Sequence, residues 1–348
     1  MALTLTFQFY DLPLQHPFTI SRYTVTVQKT VVVCITDGRF SGYGEATANP
    51  YYHSTQERLT ESLLKLKPIV DATYEKHPEL LWQQLVPLVP NDYFALCAVD
   101  IAYWDYYARK NSKPLWSYWS ETNSKTPLTS YTIGLDTLEM MKQKIIEKPW
   151  PIYKIKLGTP NDIQIVESLR KITDAVFRID ANCAWTTEQT IKNSIILKSL
   201  NVEFIEQPIK AADSEGMKRV KSESVLPVLA DESCQREEDV FLCSELFHGI
   251  NIKLMKCGGI TPALRMIKMA RKNGLVAMAG CMTESTVGIS GLVQIAPLLH
   301  YLDSDGALLL SHDIAEGVAF DFGKIVYPNA FGTGVKMHPK QINKMLIT

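Results

Sequence analysis

The 348-residue sequence lacks the features that would place it outside the ordinary globular class. Lys and Arg number 36 against 37 Asp and Glu, a formal net charge of -1. It therefore has no basic excess of the kind that tracks a phosphate backbone, and no nucleic-acid partner is expected. It has no uncharged apolar run near the roughly 18 residues needed to span a membrane, so no membrane partner is expected either. The seven cysteines, at 34, 97, 183, 234, 243, 257 and 281, form no Cys-x-x-Cys pair. That excludes a disulfide framework and a ribbon-type zinc site, and makes a reducing cytoplasm the expected compartment. The first residues, Leu3-Thr4-Leu5-Thr6-Phe7, alternate like a strand and lack the charged-then-apolar pattern of a secretory leader. There is no P-loop, no His-Glu-x-x-His, and Gly42-Tyr43-Gly44 lacks the third glycine of a dinucleotide fingerprint.

What is present is 46% hydrophobic residues arranged in two styles. Up to about residue 125, strands precede helices. Lys29 to Thr36 and Arg39 to Ala46 flank the turn pair Asp37-Gly38, and helical periodicity follows over Gln56 to Ala72 and Tyr93 to Lys110. Ala95, Ala98, Ile101 and Ala102 give the second helix a face suited to close packing. This reads as an α+β domain. From Leu128 the chain alternates short apolar strands with amphipathic helices. Strands are predicted near 129–134, 152–157, 177–181, 202–206, 226–230, 250–255 and 275–280, with an eighth near 303–310. The predicted division is 1–125 for a capping domain, 126–325 for a (β/α)7β barrel, and 326–348 returning to complete the first domain.

Polar residues recur at the strand ends with one period. Lys156, Asp180, Glu206, Asp231 and Lys253 are separated by 24, 26, 25 and 22 residues, one βα unit each. A single acidic residue after a strand is usually a helix cap or a solvated loop residue. Five at one period instead place one ionisable group at each successive strand tip, and only a closed barrel focuses those tips on one mouth. Asp180, Glu206 and Asp231 make an all-oxygen set that suits a hard cation such as Mg²⁺. Lys156 and Lys253, on the second and sixth barrel strands, would flank that ion as two bases, one for each face of a substrate carbon.

Together, Lys154-Ile155-Lys156-Leu157-Gly158, Arg178-Ile179-Asp180-Ala181-Asn182, Ile205-Glu206-Gln207-Pro208, Ala230-Asp231-Glu232-Ser233 and Asn251-Ile252-Lys253-Leu254-Met255-Lys256 resemble the enolase superfamily. The subgroup is that of the muconate-lactonizing enzymes, and within it the dipeptide epimerases of the L-Ala-D/L-Glu type. Gly42-Tyr43-Gly44-Glu45-Ala46 is also typical. The resemblance implies a modified TIM barrel with an N-terminal α+β cap. It further implies Mg²⁺ on Asp180, Glu206 and Asp231, an enediolate formed when the substrate's α-proton leaves, and Lys156 and Lys253 as the acid/base pair. It gives Lys154 to the substrate carboxylate; Lys154 and the metal would lower the Lys156 pKa. Lys256 is expected to pair with a metal-site carboxylate. Asp303 and Asp305 would receive the dipeptide's ammonium group, although Asp-Ser-Asp-Gly is also good turn chemistry. Thr132, Cys281, Met282 and Thr283 would line the substrate, with inert packing as the plainer role for Cys281 and Met282. Arg22, in the 16–27 loop, could grip a glutamate side chain or be a solvated loop residue. Dipeptides such as L-Ala-L/D-Glu from peptidoglycan turnover are the implied substrates. The alternatives are o-succinylbenzoate synthesis, N-acylamino acid racemisation, or a non-catalytic barrel that binds a metal–ligand complex. A homo-oligomer is compatible with all of them.

Overall fold

The computed structural model describes residues 2–20 and 23–339. Arg22, and residues 340–348 of the predicted returning segment, lie outside the described residues. The chain begins with an antiparallel sheet of β1 (Thr4–Thr19), β2 (Thr24–Thr36) and β3 (Ser41–Thr47) in sequential order. Asp37 closes the β2–β3 turn by accepting the Arg39 and Phe40 amides at 2.9 and 2.8 Å. Helices α1 (Gln56–Asp71), α2 (Pro78–Leu85) and α3 (Tyr93–Lys110) follow. α3 is buried almost throughout, because it lies between the sheet and the second half of the chain. Its alanine face meets the glycines of β3. A Cβ at Gly44 would sit 2.1 Å from the Ala98 carbonyl oxygen, and one at Gly42 would sit 2.2 Å from that of Ala102. Neither position can hold a larger residue while helix and sheet keep this spacing.

The second half is an eight-stranded parallel sheet in sequential order: β4 (Tyr131–Ile133), β5 (Ile152–Lys156), β6 (Val176–Asp180), β7 (Val202–Glu206), β8 (Val228–Ala230), β9 (Gly249–Ile252), β10 (Val276–Gly280) and β11 (Tyr301–Asp303). A parallel bridge between Thr129 and Leu302, reinforced by the Ser130 amide donating to the Leu302 carbonyl at 3.2 Å, joins the last strand to the first. The sheet is thus a closed barrel, with helices between every successive pair of strands. Side chains alternate between the helix layer and the interior. Arg178, Phe204, Leu229, Met278 and Tyr301 point inward near the strand starts; the Arg178 guanidinium lies 4.9 Å from the Tyr301 ring centroid. Two residues further along each strand the inward positions are Asp180, Glu206, Asp231 and Asp303.

Two predicted strand ends need correction. The eighth strand stops at Asp303 and continues as a 3-10 turn over Gly306–Leu309, not as strand to 310. The sixth stops at Ile252, and Leu254–Cys257 is a short helix. Lys256 therefore leaves the Lys253 direction by a helical turn and not by strand alternation. The segment after the barrel returns to α3: the Thr333 amide donates to Asp105 Oδ1 at 2.7 Å and the Leu115 amide to the Gly332 carbonyl at 2.8 Å. Among the described residues no helix is long and apolar enough to cross a membrane.

Candidate active site

The barrel mouth opens under the β1–β2 hairpin. Its floor is polar, lined by Lys154, Lys156, Asn182, Asp231, Glu232, Lys253, Asp303 and Asp305. Its roof is apolar, supplied by Phe18, Ile20, Tyr23, Val25, Tyr51 and Tyr52. Thr132, Cys281, Met282 and Thr283 complete the wall. The structure thus gathers every described residue picked from the sequence into one cavity or its immediate floor.

Asp180, Glu206 and Asp231 are buried on three adjacent strand ends, and one oxygen from each lies within 4.8 Å of the others. Backbone turns aim them. Asn182, Cys183 and Gln207, just past the first two, have φ of 44°, 65° and 35°, a left-handed region that costs about 1–3 kcal/mol at a non-glycine residue. The Gln207 side-chain oxygen accepts the Asp231 and Ser233 amides, each at 3.0 Å, which ties the third carboxylate to the second strand. Asn251 Nδ2 donates to Glu206 Oε1 at 2.8 Å, and the bare Cα of Gly280 leaves it room, since a Cβ there would come within 2.6 Å of Asn251 Oδ1. A compact set of hard oxygen donors already held in place fits a divalent ion of the Mg²⁺ type.

The lysines are arranged around this cluster. Lys156 Nζ lies 2.6 Å from Asp180 Oδ2 and Lys253 Nζ lies 2.8 Å from Asp231 Oδ2, at opposite ends of the three carboxylates. Lys154 Nζ bridges Glu206, Asp303 and Asp180 at 2.8, 2.8 and 3.2 Å. Lys256 Nζ holds Asp231 Oδ1 at 2.7 Å and the Cys234 carbonyl at 2.8 Å. Burial opposes ionisation of Asp180, but Lys156 and Lys154 outweigh it and bring its pKa down to about 2. The same contest, with Lys253 and Lys256, leaves Asp231 well below the carboxylate range. Glu206 is pushed up to about 7 by burial and the two neighbouring aspartates, against the pull of Lys154. Burial would lower Lys154, yet Asp303, Glu206 and Asp180 hold it well above the usual lysine value; Asp231 likewise raises Lys253 against its burial.

Across the mouth, Asp303 accepts from Ser130 Oγ at 2.7 Å and pairs with Lys154. Asp305 Oδ2 accepts the Thr132 amide at 2.6 Å, while its other oxygen faces Cys281 Sγ at 4.0 Å. Asp305 lies beyond the strand, with φ -92° and ψ 5°. The spacing of two residues would put both aspartates on one face of an extended segment, but Asp305 has already left the strand. A turn brings the second to the pocket. Burial and the Asp303 charge push Asp305 up to about 7.

Sequence reasoning passed over Asn182, Gln207, Glu232, Asn251 and Ser130 as site residues. Asn251 carried a signal: it precedes Lys253 by two positions on the inward face. The remainder are neutral or lie in turns, where strand periodicity says nothing.

A parallel barrel roofed by an antiparallel sheet, with three carboxylates at successive strand ends flanked by lysines, defines an enolase-type barrel. The match to known families narrows this. Residues 4–118 match the mandelate racemase / muconate lactonizing enzyme N-terminal domain, and residues 136–341 match the enolase C-terminal domain-like model. The chain belongs to the mandelate racemase / muconate lactonizing enzyme family of the enolase superfamily. It is 53% identical to an L-Ala-D/L-amino acid epimerase of Flavobacterium johnsoniae, over 94% of this chain and 98% of the relative. Its fold is similar to that of the substrate-liganded L-Ala-D/L-Glu epimerase from Bacillus subtilis, with TM-score 0.91 and 27% identity over 96% of this chain and 99% of that one. It is also similar to the Enterococcus faecalis dipeptide epimerase complexed with Mg and L-Leu-L-Tyr, with TM-score 0.89 and 28% identity over 97% and 100%.

Proposed function

We propose that this chain is a Mg²⁺-dependent dipeptide epimerase that moves the α-proton of the C-terminal residue from one face to the other. The observation that carries the reading is the placement of Lys156 and Lys253 at opposite ends of the carboxylate cluster, 2.6 and 2.8 Å from Asp180 and Asp231. One lysine removes the proton from one face and the other returns a proton to the opposite face. Asp180, Glu206 and Asp231 would hold the ion, which would supply positive charge to the substrate carboxylate, where negative charge builds as the proton leaves. Lys154, already bridging three carboxylates, adds a second cation beside that carboxylate. Asp305, with Asp303, binds the dipeptide's ammonium group; an acyl group in the same place would offer no cation to the buried Asp305, whose partner at Oδ2 is the Thr132 amide.

The roof of Phe18, Ile20, Tyr23, Val25, Tyr51 and Tyr52 supports apolar C-terminal side chains. An L-Ala-D/L-Glu substrate drawn from peptidoglycan would need a cation for its side chain, and the sequence offers Arg22 on that loop. Thr132, Cys281, Met282 and Thr283 shape the remaining wall. The same reading divides the chain near residue 125 into cap and barrel, with the segment after 325 returning to the cap. Seven free thiols support a cytoplasmic location.

Proton NMR in heavy water tests the reaction. With Mg²⁺, the C-terminal α-proton signal of L-Ala-L-Phe is expected to disappear as the L,D diastereomer grows, and a chelator stops both. L-Ala-L-Glu run beside it reports the contribution of the loop. No exchange with any free dipeptide, but turnover of an N-acylamino acid, would sink the assignment.

A further inference from the structure

The Gly42-Tyr43-Gly44-Glu45-Ala46 segment contains a carboxylate with no part in the reaction above. Glu45 is fully buried on β3, and its carboxylate accepts Thr30 Oγ1 at 2.8 Å, the Ser285 amide at 3.1 Å, the Gly288 amide at 2.9 Å and the Ser285 hydroxyl. Ser285 and Gly288 follow β10, so these bonds fasten the antiparallel sheet to the barrel. Glu284, next to Ser285, is also buried, and its Oε1 accepts the Met282 amide at 2.8 Å. The two carboxyl groups meet over a glycine. A Cβ at Gly288 would lie 2.2 Å from Glu284 Oε2 and 3.2 Å from Glu45 Oε2.

Among the described residues neither glutamate forms an ion pair. Two buried carboxyl groups this close, without a cation in contact, cannot both be ionised at neutral pH. The donors decide which one keeps its proton. Glu45 receives four and is the carboxylate; Glu284 receives one and is the acid. Glu284 bonds to the backbone of the segment whose side chains, Cys281, Met282 and Thr283, line the mouth. That segment is gripped on its other side as well. A Cβ at Gly306, beside Asp305, would come within 2.6 Å of the Met282 carbonyl and 2.8 Å of the Glu284 amide.

We propose that Glu284 is a positioning residue that works as a neutral carboxylic acid, holding the substrate-lining segment 281–283 in register against the ionised Glu45 of the antiparallel sheet. The inference rests on the epimerase reading for its kinetic consequence, and on geometry alone for the protonation state. Burial raises the Glu45 pKa, against which its donors Ser285, Thr30 and Gly288 act; burial and the Glu45 charge push Glu284 up to about 8, against the Met282 amide and Lys253. The other groups facing it are the Cys97 thiol of α3 and the Cys281 thiol, both held neutral by burial. Deprotonation would place a second charge beside Glu45 and loosen the segment, so dipeptide binding weakens while the lysines stay where they are.

The test compares wild type, Glu284→Ala and Glu284→Gln. KM and kcat for L-Ala-L-Phe epimerisation are followed from pH 6.5 to 9.5, and infrared spectra record the carboxylic-acid C=O stretch. Glu284→Ala is expected to raise KM roughly 3- to 10-fold, the worth of one hydrogen bond, with kcat little changed. Glu284→Gln, a neutral acceptor of the same shape, restores the wild-type KM at neutral pH. It should also lack the rise in KM expected of wild type above about pH 8. The wild-type spectrum at pH 7 should contain an acid band that Glu284→Gln removes. An unchanged KM in Glu284→Ala, the same alkaline rise in Glu284→Gln, or no acid band lost in Glu284→Gln would each overturn the proposal. Should Glu284→Ala fold poorly, Glu284→Gln and the infrared band decide alone. A wild type that exchanges no dipeptide proton counts against the epimerase reading instead, and the band still reports whether Glu284 is the acid.

Discussion

Lys256 and Asp231 form a buried pair at 2.7 Å, Lys256 on Oδ1 of the carboxylate whose Oδ2 is taken by Lys253. Two cations on one carboxylate separate structure from chemistry. Lys256 also holds the Cys234 carbonyl and does not line the cavity, so it is fixed in place away from substrate. Lys253 faces the cavity. Lys256→Met is therefore expected to destabilise the fold by about 3–5 kcal/mol, the cost of breaking a buried pair from one side. Chemical denaturation measures the loss. Lys253→Met should cost less stability and far more activity.

Lys156→Ala and Lys253→Ala should each abolish epimerisation yet differ in what they leave. With two bases on opposite faces, each variant loses α-proton exchange from one diastereomer while the remaining lysine sustains it from the other. Deuterium incorporation measured separately from L-Ala-L-Phe and L-Ala-D-Phe checks this, with rate losses of about 10²–10⁴ for the affected isomer. Equal losses on both isomers in both variants would argue for a single base.

Asp305→Asn should weaken dipeptide binding by about 10- to 100-fold, since a hydrogen bond to a charged group contributes about 1.5–3 kcal/mol. The same change should leave binding of an N-acetylated analogue, which has no ammonium group, almost unaltered. Competition kinetics with both ligands gives the ratio.

Asp100 gives a pH signature of stability away from the site. It is buried on α3, accepts the Thr261 hydroxyl at 2.6 Å and the Thr261 amide at 2.9 Å, and is pushed up to about 7 by burial despite those bonds. The unfolded chain titrates this group near 3.9, so between roughly pH 4 and 7 the native state binds the extra proton. The Asp100 contribution is full below the unfolded value and is lost as pH rises towards 7, at up to about 1.4 kcal/mol per pH unit. Urea midpoints of wild type and Asp100→Asn between pH 4.5 and 7.5 should diverge by this slope.

Gly44→Ala tests the packing of β3 on α3. Its Cβ would lie 2.1 Å from the Ala98 carbonyl oxygen, backbone that cannot swing aside. Overpacking of about 1–3 kcal/mol is the minimum expected, read as a fall in melting temperature. Gly38→Ala, at an open turn with φ 87°, carries only the backbone strain of its conformation.

Which parts of this were legible in the sequence follows from what each residue has to do. Asp180, Glu206 and Asp231 stood out because charge in a buried strand is rare and theirs recurs with the βα unit. Ala95, Ala98 and Ala102 announced a close helix–sheet contact because small residues at helical spacing have few other uses. Asn251 offered only its register, two positions before Lys253, while Gln207 and Glu284 were silent: a polar residue in a turn looks like any loop residue, and Glu284 shows its role only when the fold brings Glu45 over Gly288, 243 residues from one to the other. The turn that carries Asp305 was one of two readings the sequence left open. Asp-Ser-Asp-Gly suits either a strand end or a turn, and the Thr132 amide, on the first strand where it closes the barrel against the last, settles it.

The apolar roof and the polar floor belong to separate hydrogen-bonded sheets. Phe18 and Val25 are cross-strand partners in the β1–β2 hairpin, whereas every lysine and metal-cluster carboxylate hangs from the barrel. On the epimerase reading the hairpin chooses the guest and the barrel does the work, so a transplanted hairpin should carry its donor's appetite with it, read as a change in dipeptide preference with proton exchange retained.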